Sequence, residues 1–466
     1  MNTTALGHAV DFVRSWLPLR YESGTVPGFA VAIACEGQIL LNEAYGYADL
    51  ERSLPLSTDH IVRIASHSKT FTATALMLLQ EEGRLRIADR VVDHLPWLQE
   101  HRDPRWRDVT LELLLSHGAG VIRDGEDADY WHLEHPFPDA AQLREEILAC
   151  DLVLAPATQM KYSNYGYSLL GMVVEAVSAT PYNTFVTERI VRPLALASTH
   201  PEYGPALEGR LVTGYGRREN GRRLPIAQVN TRAMSAATGF CSTTADLCAY
   251  FTAHMVGSGQ LLSDASKREM QRVHWHAKSL DAKEHQDYGL GFFLDDVGGR
   301  RLFGHSGGFP GAITRTMADP AERLVVTALT NSVDGPAATI VDGIYKILSY
   351  FEEHTPEGSD VAAPDLRRLE GLYANLWGVT GVVALGERLV TVAADSWDPM
   401  AAVESLERLD ETTFRITDTA SGGSPGELVR FVLRDGAVES VRFAGTTSVP
   451  RPAWLARQEG RTIVGA

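Results

Sequence analysis

Lysine is nearly absent from this chain: six residues in 466, at positions 69, 161, 267, 278, 283 and 346, against 37 arginines. The imbalance reads as a compositional bias, yet it makes each lysine informative. Basic residues of both kinds are outnumbered by acidic ones, giving a net charge of −16 that argues against nucleic acid or an anionic membrane as partner. Cysteine is equally scarce. The four residues (35, 150, 241, 248) have no metal-ligand spacing and read as reduced core thiols. No apolar run is long enough to span a bilayer, which takes about 18–20 residues. The opening stretch Met1–Arg14 has neither the basic patch nor the uninterrupted apolar core of a secretory signal. These absences predict a cytoplasmic globular protein. Its 44% apolar and 22% charged content is ordinary for that class.

The patterning predicts an amphipathic helix over about 4–20, then a hairpin of Phe29–Cys35 and Gln38–Tyr45 turning at Glu36-Gly37. Helical patterns dominate from Lys69 to about Met255. Strands return at Gly289–Asp295, Arg301–Gly304, Ala312–Ala318 and Leu324–Thr330, and Pro336–Phe351 reads as a closing helix. Strands gathered from both sides of a helical block, with helices packed on them, predict an α+β domain over 1–352. A linker is expected over 353–365. Short β-type runs separated by turn residues then predict a small antiparallel barrel or sandwich over 366–466, without reactive groups.

Ser66-His67-Ser68-Lys69 is the sole Ser-x-x-Lys of the chain. With six lysines and serine at its usual frequency, about 0.4 such pairs arise by chance, so the match alone says little. The setting says more. Thr70–Leu79 is ten residues without a charge, ended by Gln80-Glu81-Glu82-Gly83, and a helix apolar all round belongs in a core. Lys69 would share a face with Ser66 and would be buried. A buried ammonium is costly unless it is paired or deprotonated, so Lys69 is a candidate proton acceptor for the Ser66 hydroxyl. The competing reading is a capping serine beside a snorkelling lysine.

Two further segments accompany it. Tyr162-Ser163-Asn164 precedes a helical pattern over Tyr167–Ala179, although Tyr373-Ala374-Asn375 repeats the same signature downstream. Gly304-His305-Ser306-Gly307-Gly308 follows a strand pattern, and its glycines would let a substrate approach the backbone. Gly304-x-Ser306-x-Gly308 also satisfies the nucleophile elbow of α/β-hydrolases. That elbow requires a helix directly afterwards, where this chain has Phe309-Pro310-Gly311 and a strand pattern. His132-x-x-His135 and His274-x-His276 lack a third ligand nearby, so no metal or cofactor is expected. The acidic, aromatic loop Arg123–Asp139 either lines an entrance or is a solvated insertion.

Taken in order, Ile64–Lys69, Leu113-Leu114-Leu115-Ser116-His117, Tyr162–Tyr167, Pro193–Leu196, Tyr288-Gly289-Leu290-Gly291 and Gly304–Gly308 resemble the serine β-lactamase and penicillin-binding-protein superfamily. The likeness is to its class C-like branch of esterases, D-aminopeptidases and transacylases, and it covers about residues 25–350. It implies a β-lactamase-like fold, with a lipocalin-like barrel in the C-terminal position. It further implies a Ser66 acyl-enzyme and an oxyanion hole from the N–H groups of Ser66 and Gly308. Lys69 and Tyr162 would share the proton transfers, with the Lys69 cation favouring the Tyr162 phenolate, and Asn164 would bond the substrate. The departure is His305, where β-lactamases carry a lysine. A histidine near pKa 6.5 is largely neutral at pH 7, which disfavours carboxylate-bearing β-lactams and D-Ala-D-Ala termini until the pH falls towards that value. The expectation is therefore a hydrolase of a small ester, amide or D-amino-acid peptide. A transacylase with a small-molecule acceptor, a β-lactamase or D,D-carboxypeptidase, and a non-catalytic binding protein are the alternatives. A homo-oligomer is left open.

Overall fold

The computed structural model describes residues 3–278, 285–355, 364–419 and 423–458. It forms two compact units, Thr25–Val341 and, separately, Met1–Gly24 with Asp342–Ala466. The expected linker lies largely outside the described residues.

In the first unit, β1 (Gly28–Cys35) and β2 (Gln38–Asp49) form the expected hairpin. Glu36 and Gly37 both have positive φ, 50° and 82°, the backbone a two-residue turn needs if the strands are to keep their twist. β3 (Leu54–Pro55) adds to the outer edge of β2. Two short pairs stand apart: β4 (Val62–Arg63) with β7 (Cys241–Ser242), and β5 (Gly214–Tyr215) with β6 (Pro225–Ile226). The remaining strands are β8 (Trp275–Lys278), β9 (His285–Tyr288), β10 (Phe293–Val297), β11 (Arg300–Phe309), β12 (Ala312–Asp319) and β13 (Leu324–Thr330). They join the hairpin in one nine-stranded antiparallel sheet, ordered β3-β2-β1-β13-β12-β11-β10-β9-β8. Strands from both sides of the helical block thus meet at β1–β13, as the patterning implied.

Two strand expectations needed correction. The strand expected at Gly289 starts at Phe293, since Gly291 takes φ 82°. The strand expected to stop at Gly304 runs on to Phe309, because the β11–β12 ladder continues through the glycines to the Pro310-Gly311 turn.

Against the sheet packs the helical block. Its central helix (Ser68–Glu81) is buried from Ser68 to Leu79, as its lack of charge demanded. Its three threonines are fully buried yet satisfied. Thr70 donates to the His67 carbonyl at 2.8 Å and Thr74 to that of Thr70 at 2.8 Å. Thr72 donates to the Ala236 carbonyl at 2.6 Å and contacts the Tyr182 hydroxyl at 2.6 Å. Phe71 stacks on Tyr250, ring centroids 3.9 Å apart. Of the four cysteines, all free, Cys150, Cys241 and Cys248 are buried as expected and Cys35 is only half-buried.

In the second unit, eight antiparallel strands from Gly371–Asn375 to Thr446–Pro450 close into a barrel around Tyr373, Val382, Leu389, Phe414 and Phe431. The N-terminal helix (Thr3–Ser23) groups with this unit. The reason is chemical: Trp16 Nε1 donates to the Ser396 carbonyl at 3.0 Å, Arg20 to that of Ala394 at 3.0 Å, and His8 pairs with Glu370 at 2.9 Å. No described helix is long and apolar enough to cross a membrane.

Replacing Thr72 by the isosteric valine strands the Ala236 carbonyl and the Tyr182 hydroxyl. This should cost about 1–3 kcal/mol, read as an earlier urea midpoint at unchanged m-value. An unshifted midpoint would show that the Thr72 hydroxyl does not serve them.

Candidate active site

Ser66 sits in a 3₁₀ turn (Ala65–His67) just ahead of the central helix. Ala65 has φ 47°, a left-handed conformation that residues with a Cβ adopt only when their surroundings over-determine it. Here they do. Ser68 Oγ donates to the Ala65 carbonyl at 2.5 Å and accepts from the Phe240 N–H at 3.0 Å, while the Ile64 N–H donates to the Phe240 carbonyl at 2.9 Å. Ser66 is half-buried between wholly buried neighbours, so its hydroxyl is reachable from one side.

Lys69 is fully buried. Its Nζ lies 3.0 Å from Ser66 Oγ, 2.7 Å from Asn164 Oδ1 and 2.8 Å from the Ala237 carbonyl. Asn164 is the first residue of the helix Asn164–Ser178, which Ser163 caps by accepting from the Gly166 N–H. That helix starts three residues earlier than the pattern suggested, because the cap is polar and the first turn carries the site residue. Asn164 Nδ2 donates to Asp124 Oδ1 at 2.7 Å, which leaves the amide only one orientation: oxygen towards Lys69. Burial holds the Lys69 amine well below its ordinary 10.5; the Asp124 carboxylate opposes that shift and the Arg123 guanidinium adds to it.

Tyr162 lies beside them. Lys69 Nζ is 4.8 Å from the centre of its ring, and the neighbouring Ser66 hydroxyl favours its ionised form. The expected phenolate is not what this environment favours. Burial raises the phenol above its ordinary 10, against the lowering effects of the Ser66 hydroxyl and the Arg123 charge.

His305 is buried on β11. Its Nδ1 is 2.6 Å from the Ser306 carbonyl, which can only accept, so Nδ1 carries the proton and Nε2 faces the Tyr288 hydroxyl at 3.3 Å. Burial and the neighbouring His67, Lys69 and Arg315 keep this imidazole well below 6.5. The expectation that it gains charge as pH falls towards 6.5 is therefore corrected: it is neutral throughout the physiological range.

Two residues on, Gly307 packs on the Ser66 turn so closely that a Cβ would stand 2.2 Å from the Ile64 carbonyl oxygen. Counting back from the closing pair Phe309–Ala312, Gly308 and Ile313 form a non-hydrogen-bonded pair, so the Gly308 amide points to the open edge of β11 beyond the end of β10. Ser306, the rival nucleophile, is engaged by Arg315 at 3.2 Å, and a two-residue turn and strand follow it in place of a helix.

Sequence reasoning missed Asp124 and the Ala237 carbonyl. Nothing in the loop 123–139 distinguishes Asp124 from its other acids, and a carbonyl leaves no trace in sequence. Glu112, Glu269 and His274 gather ligand-type atoms within 4.8 Å of one another, and Arg272 pairs with Glu269 at 2.6 Å and Glu112 at 3.7 Å, balancing one of the two carboxylate charges.

Residues 13–349 match the family model described as Beta-lactamase. Protein flp of Staphylococcus aureus (strain MW2) is 29% identical over 180 residues, 38% of this chain and 35% of that protein; the match thus spans about a third of the curated relative's length. An octameric penicillin-binding protein homologue from Pyrococcus abyssi superposes with TM-score 0.63 at 24% identity, covering 94% of this chain and 99% of that one, a likeness of fold. A D-stereospecific amidohydrolase from Streptomyces sp. superposes with TM-score 0.60 at 25% identity, covering 71% and 96%.

Gly307→Ala should push β11 off the Ser66 turn. Since misplacement by about 1 Å costs roughly 10²-fold, the variant should react with a fluorophosphonate about 10²-fold more slowly while its circular dichroism is unchanged. Wild-type labelling in the folded variant would show that this contact does not set the site.

Proposed function

The chain belongs to the beta-lactamase family and is a serine hydrolase, and from that premise we propose that it cleaves a small ester, amide or D-amino-acid peptide through an acyl-enzyme on Ser66. The observation that carries this reading is the surroundings of Lys69 Nζ. Asn164 Oδ1 and the Ala237 carbonyl accept and cannot donate to it. A neutral amine gives its two protons to them, and its lone pair is left for the third neighbour, Ser66 Oγ at 3.0 Å. With its pKa depressed by burial, Lys69 is a base suited to that hydroxyl.

In the proposed cycle Lys69 takes the Ser66 proton as Oγ attacks the acyl carbonyl. The N–H groups of Ser66 and Gly308 hold the resulting oxyanion. Tyr162, kept protonated by burial, passes its proton to the leaving group and recovers one from Lys69. Water then attacks the ester on Ser66, with the proton transfers reversed. Asn164 serves Lys69 with its oxygen and Asp124 with one N–H, which leaves one N–H for a substrate oxygen. The uncharged His305 offers no counter-ion for a carboxylate, which supports uncharged esters and amides over penicillins and D-Ala-D-Ala termini. The amidohydrolase likeness supports the amide arm.

Ser66→Ala should abolish the fluorophosphonate adduct seen by intact mass and lower kcat by about 10³–10⁶-fold, whereas Ser306→Ala should keep the adduct. A label mapped to the Ser306 peptide would end this reading.

The pH profile follows from Lys69. Since the base works when neutral, kcat/KM for an uncharged ester should be lost as pH falls through its lowered pKa, and the plateau should be reached well below 10.5. Asp124→Asn removes a charge that favours the ammonium, so the acid limb should move to lower pH. An acid limb that moves upwards, or a plateau reached only near 10.5, would exclude Lys69 as the base.

A further inference from the structure

Beside Gly308 lies a cavity of about 420 Å³ whose lining carries no carboxylate, ammonium or guanidinium. Trp131, Leu133, Ile226, Phe309, Ile313 and Val333 supply its apolar surface, and His132 is its one titratable residue. From these residues we propose that the cavity is the acyl subsite and that it selects a bulky, uncharged apolar acyl group, aryl or branched alkyl. The proposal rests on the Ser66 acyl-enzyme reading above.

Three observations carry it. First, the cavity adjoins the Gly308 end of β11, although Ser66, Lys69, Tyr162 and Asn164 are not themselves part of its lining. Gly308, whose amide faces the open edge of β11, lines it. A Cβ placed on Gly308 would meet only Ile313 Cδ1 at 3.6 Å, so the strand presents its bare backbone to the cavity there.

Second, the lining says which half of the substrate enters. With the proposed oxyanion held between the Ser66 and Gly308 N–H groups, the acyl carbonyl stands beside Gly308 at the cavity, whereas Tyr162, which must face the leaving group, is not part of the lining. What enters is the part that stays bonded to Ser66.

Third, the wall is built and wired to the catalytic groups. Phe309 lies parallel to Phe137 (10° between planes, centroids 6.1 Å apart) and edge-on to Trp131 at 6.0 Å. The buried Arg63 guanidinium sits 4.1 Å from the centre of the Phe309 ring and pairs with Glu202 at 3.0 Å, fixing the ring from outside the cavity. Trp131 Nε1 donates at 3.1 Å to Asp124 Oδ1, the same oxygen that accepts from Asn164. An acyl group packed on Trp131 therefore bears on the carboxylate that orients Asn164 towards Lys69. The loop 123–139, ambiguous in sequence, supplies this wall.

The test uses the full chain and p-nitrophenyl esters that differ only in the acyl group: acetyl, 3-methylbutanoyl, phenylacetyl and hemisuccinyl. One extra methylene in an apolar pocket is worth about 10-fold or more in kcat/KM. The phenylacetyl ester should therefore exceed the acetyl ester at least tenfold, and the hemisuccinyl ester should fall below it. Ile313→Trp, which fills the cavity, should reduce the phenylacetyl-to-acetyl ratio at least tenfold. Leu133→Trp, on the loop, repeats the test should the first variant melt early. A flat acyl series, a preferred hemisuccinyl ester, or an unchanged ratio in a folded variant would overturn the subsite. If in addition Ser66 takes no fluorophosphonate, the acyl-enzyme reading itself has failed; labelled Ser66 with a flat series overturns the subsite alone.

Discussion

Burying one amine organises this site. Lys69 lies on a helix with no other charge before Glu81 in its last turn, deep enough that an ammonium there would lack water altogether. Its neighbours are the structural answer to that cost. The Ala237 carbonyl and Asn164 Oδ1 each accept from Nζ, and Asp124 fixes the Asn164 amide so that its oxygen and not its nitrogen faces the amine. The same burial that depresses the amine raises the Tyr162 phenol. In the proposed cycle this low polarity gives Lys69 and Tyr162 separate roles, as base and as acid, of the kind general acid–base work requires.

The second constraint is the register of β11. Pairing with β12 up to the Pro310-Gly311 turn sends the Gly308 amide to the free edge. Gly307 is pressed against the Ser66 turn and His305 is drawn into the interior beside His67, ring centroids 6.1 Å apart. Strand alternation turns Ser306 away towards Arg315 and leaves Phe309 in an aromatic wall. A shift of one residue would exchange all of these positions. The strained φ of Ala65 is tolerated for a related reason, since the Ser68 hydroxyl and the Phe240 carbonyl hold that turn in place.

Much of this was legible in the residues. The uncharged run after Lys69 announced a buried helix, Glu36-Gly37 announced the hairpin, and the turn-separated runs past residue 366 announced the barrel, because each of these is written in local periodicity or turn chemistry. The motif residues Ser66, Lys69, Tyr162, Asn164 and His305 come together around one hydroxyl or on the strand beside it. Less legible was the place of the first helix. Its amphipathic stripe says that it must be covered, while its partners Ser396 and Ala394 lie more than 370 residues away.

Local sequence therefore determined which segments are helix, strand and turn, which helix is buried, and which residue types are present for an acyl-enzyme. Only the tertiary structure decided how burial biases the protonation of these groups and which side chains line the cavity beside Gly308. A pKa depends on the water removed and the charges brought close by other segments, and sequence spacing encodes neither. The lowered Lys69 amine, the raised Tyr162 phenol and the lowered His305 imidazole all owe their shifts first to burial. Asp124 and the Ala237 carbonyl acquire meaning only because the chain returns to Lys69 from 55 and 168 residues away in sequence.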